Sequence, residues 1–119
     1  MKKTLVIGAS ENIDRYSNKA IRMLLNQNHP VVALGMRTGS VEGVDILTGL
    51  PDFKELNTVT MYVGPANQPA YYDYILGLKP QRIIFNPGTE NPEFETLATA
   101  AGIACVDACT LVMLSIGAF

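Results

Sequence analysis

Cysteine, histidine and charge are all scarce in this chain, and each scarcity removes a class of function. Two cysteines, Cys105 and Cys109, stand in 119 residues, too few for a disulfide framework. They do not have Cys-x-x-Cys spacing, and a single histidine leaves no second ligand pair, so a zinc site is not expected. That histidine, His29, falls in a turn at the far end of the first helix, away from any strand end that could hold a ligand. A net charge of −2 argues against general nucleic-acid binding. The apolar run after Met1-Lys-Lys is too short for a secretory signal. The apolar stretch from Ala100 to Phe119 is broken by Asp107 and by glycines, which makes it a poor membrane span. A soluble, cytoplasmic protein with no membrane or nucleic-acid partner is the expectation.

What remains is globular in kind. Nearly half of the residues are apolar and about a sixth are charged, over a length that suits a single domain spanning 1–119. Charge is unevenly placed. Residues 1–41 carry six basic and two acidic groups, a balance of +4, whereas residues 42–119 carry three basic and nine acidic, a balance of −6. A positive first third in an acidic protein suits one discrete anionic ligand; chance scatter over a solvated face is the plainer reading.

Short apolar runs alternate with helix-like runs. Thr4–Ala9 and Val31–Gly35 read as buried strands, and Thr58–Val63, Arg82–Phe85 and Ile103–Val106 as further strands. Val44–Leu47 reads as a short edge strand or hairpin within a glycine-punctuated stretch. Helices are expected over Ser17–Asn28 with Ser17 as N-cap, from Asn67 or Gln68 to about Gly77, from Asn91 to about Gly102, and over Thr110–Ile116. Asp52–Leu56 suggests one helical turn. This alternation predicts an α/β fold with a doubly wound, mostly parallel sheet of about five strands and helices on both faces. The last helix has no polar face, so it is either sunk against the sheet or shared with a second copy in a homodimer.

In such sheets ligands bind at the carboxyl ends of the strands. Four segments should meet there: Gly8-Ala-Ser10 with its loop, Gly35-Met-Arg37, Val63-Gly-Pro65 and Asn86-Pro-Gly-Thr89. The first is the most informative. Thr4-Leu-Val-Ile-Gly-Ala-Ser10, a polar loop and a helix start aim free backbone N–H groups at an anion, usually phosphate. Arg15 and Ser17 could join those groups around a pyrophosphate; Lys19 depends on its flexible stem, and Arg22 reads as a surface charge. The loop has one glycine where the dinucleotide fingerprint needs three. At the end of the second strand, where NAD binding calls for an acid, stands Arg37. A guanidinium matches a ribose phosphate monoester. That points to NADP or coenzyme A; a solvated loop arginine is the alternative. No nucleophile, base and oxyanion hole assemble, and Glu90, Glu93 and Glu95 are explained by the helix dipole. Cys109, just past a strand end, is either a packed thiol or a redox-sensitive one.

The loop Gly8-Ala-Ser-Glu-Asn-Ile-Asp-Arg-Tyr-Ser-Asn-Lys19 resembles the opening of small bacterial CoA-binding domain proteins. These are stand-alone relatives of the N-terminal domain of the succinyl-CoA synthetase alpha subunit. The resemblance continues through Gly49-Leu-Pro-Asp-Phe53, Met61-Tyr-Val-Gly-Pro-Ala66, Thr89-Glu90, Ala101-Gly-Ile103 and Asp107-Ala-Cys109. It implies a Rossmann-like fold that binds coenzyme A or an acyl-CoA across the strand ends. Gly8, Ala9, Ser10, Asn12, Arg15, Tyr16 and Ser17 would surround the phosphates, with Arg37 near the nucleotide. Val63, Gly64 and Pro65 would line the mouth, and Asn86, Pro87 and Gly88 its other rim. Met36-Arg37 departs from the synthetase's lysine, Gly64 is an extra glycine, and the Asn-Pro pair that stand-alone relatives often carry after the second strand is missing. The synthetase's phosphohistidine lies in a second domain absent here, so ligase activity is not implied. The expected role is a non-catalytic sensor, carrier or partner subunit; an NADP-binding oxidoreductase-type domain is the alternative.

Overall fold

Thr4–Ile7, every residue of it buried, forms the central strand β1 of the computed structural model, which describes residues 1–119. Helix α1 (Tyr16–Asn26) carries the chain back to β2 (Val31–Leu34), which pairs parallel to β1. A hairpin follows, β3 (Gly39–Val41) and β4 (Val44–Leu47), with β4 parallel to β2 and β3 antiparallel to β4. Glu42 and Gly43, both at positive φ (50° and 84°), make its two-residue turn. The chain then crosses to the other side of β1, where β5 (Thr58–Met61), β6 (Arg82–Phe85) and β7 (Ala104–Asp107) add in parallel. Helix α2 (Tyr72–Leu78) joins β5 to β6, α3 (Pro92–Ala100) joins β6 to β7, and α4 (Thr110–Ser115) follows β7. The order is β3-β4-β2-β1-β5-β6-β7. Seven strands thus replace the expected five or so, because β3 and β4 both enter the sheet.

The two faces have separate cores. Leu5, Ile7, Val59, Met61, Ile83 and Phe85 face α2, α3 and the loop bearing Leu56. Val6, Ala33 and Ile46 face α1 and α4 through Ile21, Leu24 and Leu114. With every central strand covered on both faces, the strands read as continuous apolar runs.

Several boundaries differ from the sequence reading. Asp52–Leu56 makes no helical turn; Phe53 and Leu56 reach the core from an irregular crossover, and Glu55 takes positive φ. Helix α1 begins at Tyr16, so Arg15, not Ser17, holds the N-cap position. The region after β5 winds through two 3-10 turns, Pro65–Asn67 and Pro69–Tyr71, before α2 starts at Tyr72. Two prolines in five residues interrupt the regular ladder there. Asn28 is left-handed as its place past a helix end suggests, and Asn91 caps α3 by accepting from the Phe94 N–H at 3.1 Å. Helix α4 buries Thr110 and Leu114 but leaves Val112 and Ile116 exposed, so the sheet covers one side of it only. No helix is long and apolar enough to cross a membrane.

Candidate functional site

Strand order reverses between β1 and β5, and at that crevice the two strand ends are drawn unusually close. Gly8 follows β1 at φ +96°, and a Cβ there would lie 2.8 Å from the Tyr62 carbonyl oxygen, just past β5. Both the Gly8 and Ala9 N–H groups donate to the Leu34 carbonyl, at 3.0 and 2.8 Å. At the end of β2, a Cβ on Gly35 would fall 2.5 Å from the Ala9 carbonyl oxygen and 2.9 Å from the Ile46 side chain. Only glycine at these two positions lets three strand ends converge.

The loop beyond Ala9 is held by its own polar groups. Ser10 Oγ accepts from the Asn12 N–H at 3.1 Å, and Asn12 Oδ1 accepts from the Asp14 N–H at 3.0 Å. Asn18 Nδ2 donates to the Ser10 carbonyl at 2.9 Å, and Arg22 donates both to Asn18 Oδ1 and to the Ile13 carbonyl. Arg22 therefore braces the loop, a role its place on an exposed helix face did not suggest. Glu11 accepts from the Ser40 N–H at 3.0 Å and ties the loop to β3. No side chain caps the first turn of α1, so its leading N–H groups stay available.

These elements frame a cleft of about 830 Å³, within the roughly 300–1,000 Å³ range of small-molecule sites. Seven of the residues expected at the site line it: Gly8, Ala9, Ser10, Asn12, Arg15, Arg37 and Val63. Tyr16, Ser17, Gly64 and Pro65 do not; Ser17 is buried in the first turn of α1, while Tyr16 points outward with Lys19 Nζ 5.2 Å above its ring. Glu11, Met36, Thr38 and Ile46 complete one side, and Tyr62, Asn67, Ala70 and Tyr71 the other. The last three escaped the sequence reading because the 3-10 turns fold them back over the strand ends. Arg15 and Arg37 have no carboxylate partner, since the one ion pair in the chain joins Lys54 and Asp52. Two exposed, unpaired guanidiniums in one cleft are suited to hold phosphate. The Tyr62 hydroxyl is buried without a hydrogen-bond partner, and burial pushes its pKa to about 12.

The fourth expected segment lies elsewhere. Asn86 is buried; it donates to Thr60 Oγ1 at 2.7 Å and to the Met61 carbonyl at 2.8 Å, and accepts from the Thr110 N–H at 2.8 Å. It ties β5, β6 and the start of α4 together, and neither it nor Pro87 and Gly88 lines the cleft. Beside it, buried Gln68 donates to the carbonyls of Val63 (2.9 Å) and Thr89 (2.7 Å) and accepts from Asn91 Nδ2 (2.9 Å). These amides fix the turn that carries Val63, Asn67 and Ala70. His29 sits at the opposite end of the sheet, where its Nδ1 accepts from the Lys2 N–H at 3.1 Å. Both cysteines are free and half-buried, and burial pushes the Cys105 thiol up.

A parallel sheet with a glycine-lined crevice at its switch point and cations facing it defines a Rossmann-like nucleotide-binding protein. The chain belongs to the CoA binding domain family, whose model matches residues 2–115. Among solved structures, that of an uncharacterized protein shares 46% identity at a TM-score of 0.98, over 100% of this chain and 98% of the other. A Thermus thermophilus protein (24% identity, TM-score 0.87, 99% and 90% of the two chains) has the same fold. So does a hypothetical protein from Pyrococcus horikoshii OT3 (22%, 0.87, 97% and 82%). No protein of curated function matches the sequence.

Proposed function

We propose that the chain binds coenzyme A or an acyl-CoA in the cleft between β1, β2 and β5 and does not turn it over. The observation that carries this reading is the pair of glycines, Gly8 and Gly35, whose missing side chains let three strand ends converge beside two arginines that have no carboxylate partner. The pyrophosphate lies against the loop Ala9–Arg15 and the start of α1, with Arg15 as its cation. Arg37 takes the ribose 3′-phosphate, and the pantetheine arm runs past Val63. The family and the likeness to the N-terminal domain of the succinyl-CoA synthetase alpha subunit support the same pose. The role read here is that of a sensor, carrier or partner subunit.

Thermal unfolding with added ligand tests the reading, because a ligand bound only to the native state raises Tm. CoA is expected to raise it and NADPH to leave it unchanged. The reverse result favours an NADP-binding oxidoreductase-type domain, for which Arg37 would hold a 2′-phosphate. The proposal extends to a homodimer through α4, supported by exposed Val112 and Ile116; the groove between α1 and α4 is lined by Met23 and Leu111 together with Lys19, Arg22 and Asn26. Light scattering should give twice the mass of one chain, falling to a single chain in Val112→Asp.

A further inference from the structure

Charge is distributed along the carboxyl edge of the sheet in a way the phosphate site does not require. Of the nine lysines and arginines, Lys2, Lys3, Lys54, Lys79 and Arg82 lie toward the amino edge. Lys2 and Lys3 precede β1, Arg82 opens β6, Lys79 ends α2, and Lys3 Nζ reaches the Lys54 carbonyl at 2.8 Å. The other four, Arg15, Lys19, Arg22 and Arg37, belong to the loops and helix that follow β1 and β2. No cation stands on the carboxyl edge between β5 and β7. Acids occupy it instead: Asp73 in the first turn of α2, Glu90 before α3, Glu93 and Glu95 in its first turn, and Asp107 at the end of β7.

The cleft spans that gradient. One side holds Arg15 and Arg37, with Glu11 turned to the Ser40 N–H; the other is made by Val63, Asn67, Ala70 and Tyr71, all uncharged. The acidic rim is physically joined to this neutral end. Gln68 Nε2 donates at once to the carbonyls of Val63 (2.9 Å) and Thr89 (2.7 Å), and Glu90 follows directly, its Oε1 accepting from the Gly88 N–H at 2.8 Å. Glu95 is pushed up from its ordinary value, by burial first and then by the neighbouring Asp107 and Glu90 carboxylates.

We infer that the neutral end of the cleft selects CoA forms whose thiol or acyl end carries no charge and disfavours thioesters ending in a carboxylate. This rests on the CoA reading of the cleft and goes beyond it by naming the ligand class. The nucleotide end, with its pyrophosphate and 3′-phosphate, is drawn to the arginines, while a further anion at the acyl end meets no cation and lies on the acidic side of the carboxyl edge. The interaction crosses solvent, so it is modest and screened by salt.

Isothermal titration at low and at high salt, with adenosine 3′,5′-bisphosphate, CoA, acetyl-CoA and succinyl-CoA as probes, tests the inference. CoA and acetyl-CoA are expected to bind alike, and succinyl-CoA to bind at least about threefold more weakly at low salt, the gap closing at high salt. The double variant Glu90→Gln/Glu93→Gln should narrow the low-salt gap; glutamine at 90 retains an oxygen for the Gly88 N–H. Succinyl-CoA binding as tightly as acetyl-CoA at low salt, or a gap indifferent to the double variant, overturns the inference while leaving the CoA reading intact. Failure of CoA and of the bisphosphate alike overturns the CoA reading, and this inference with it.

Discussion

Gly35 lies so close to Ala9 that a Cβ at position 35 would stand 2.5 Å from the Ala9 carbonyl oxygen. That oxygen is backbone and cannot swing aside as a side-chain tip would. Gly35→Ala is therefore expected to push β2 away from the loop after β1, with a loss of about 1–3 kcal/mol in denaturant unfolding. CoA affinity should fall in the same variant, because the displaced backbone carries the cleft wall from Ser10 to Arg15. Gly64→Ala is the control: nothing lies within 4 Å of a Cβ there, and its φ is −63°, so stability should hardly change.

The two unpaired arginines are expected to separate by ligand. Arg15→Ala should weaken CoA and dephospho-CoA alike by about 1–3 kcal/mol, the scale of a lost charged hydrogen bond. Arg37→Ala should weaken CoA alone and abolish any preference for it over dephospho-CoA, which lacks the ribose phosphate. Titration of both ligands into both variants checks the assignment. Equal losses on the two ligands in Arg37→Ala would remove it from the ribose.

Much of this arrangement was legible in the sequence. The strand runs, the loop from Gly8 to Ser17, Asn28 as a left-handed stop and Asn91 as a cap are all local signals, and local physics decides them. Gly35 was named at a ligand-facing strand end and Tyr62 only within the third strand, and the contact that demands a glycine at 35 was not legible, since it comes from how near three strands approach. Asn67, Ala70 and Tyr71 were read as the start of a helix and not as site residues, because 3-10 turns around Pro65 and Pro69 fold them back over the strand ends. Asn86 misled for a related reason. An asparagine at a strand end before Pro-Gly looks the same whether it faces a ligand or turns inward to a partner 24 residues away.

Its inward orientation gives Asn86 a different signature from the arginines. Asn86→Leu removes three buried hydrogen bonds and leaves the Thr110 N–H and the Met61 carbonyl without that partner. A loss of about 1–3 kcal/mol in stability is expected, from the unsatisfied groups it leaves behind. CoA affinity of the protein that remains folded should change little. A large affinity loss with unchanged stability would return Asn86 to the ligand's rim.

His29 should make stability depend on pH although it lies far from the cleft. Its Nδ1 accepts the Lys2 N–H and its ring packs edge-on against Phe119, 4.9 Å between centroids; both contacts suit a neutral ring. Burial first, and then the positive charges of the amino terminus, Lys2 and Arg82, hold its pKa below 6.5. Above pH 6.5 the ring is neutral in both folded and unfolded chains, and the stability is fully present. As pH falls below that value the unfolded chain takes up a proton that the native chain still refuses, so stability is lost until the folded pKa is passed. Glu95 acts with the opposite sign: its raised folded pKa makes the native state bind its proton first, which adds stability as pH drops toward 4.5. The difference between wild type and His29→Gln isolates the histidine, the only one in the chain. Thermal unfolding across this range should show the wild type losing Tm relative to the variant below pH 6.5, and a constant difference would mean that His29 titrates alike in both states.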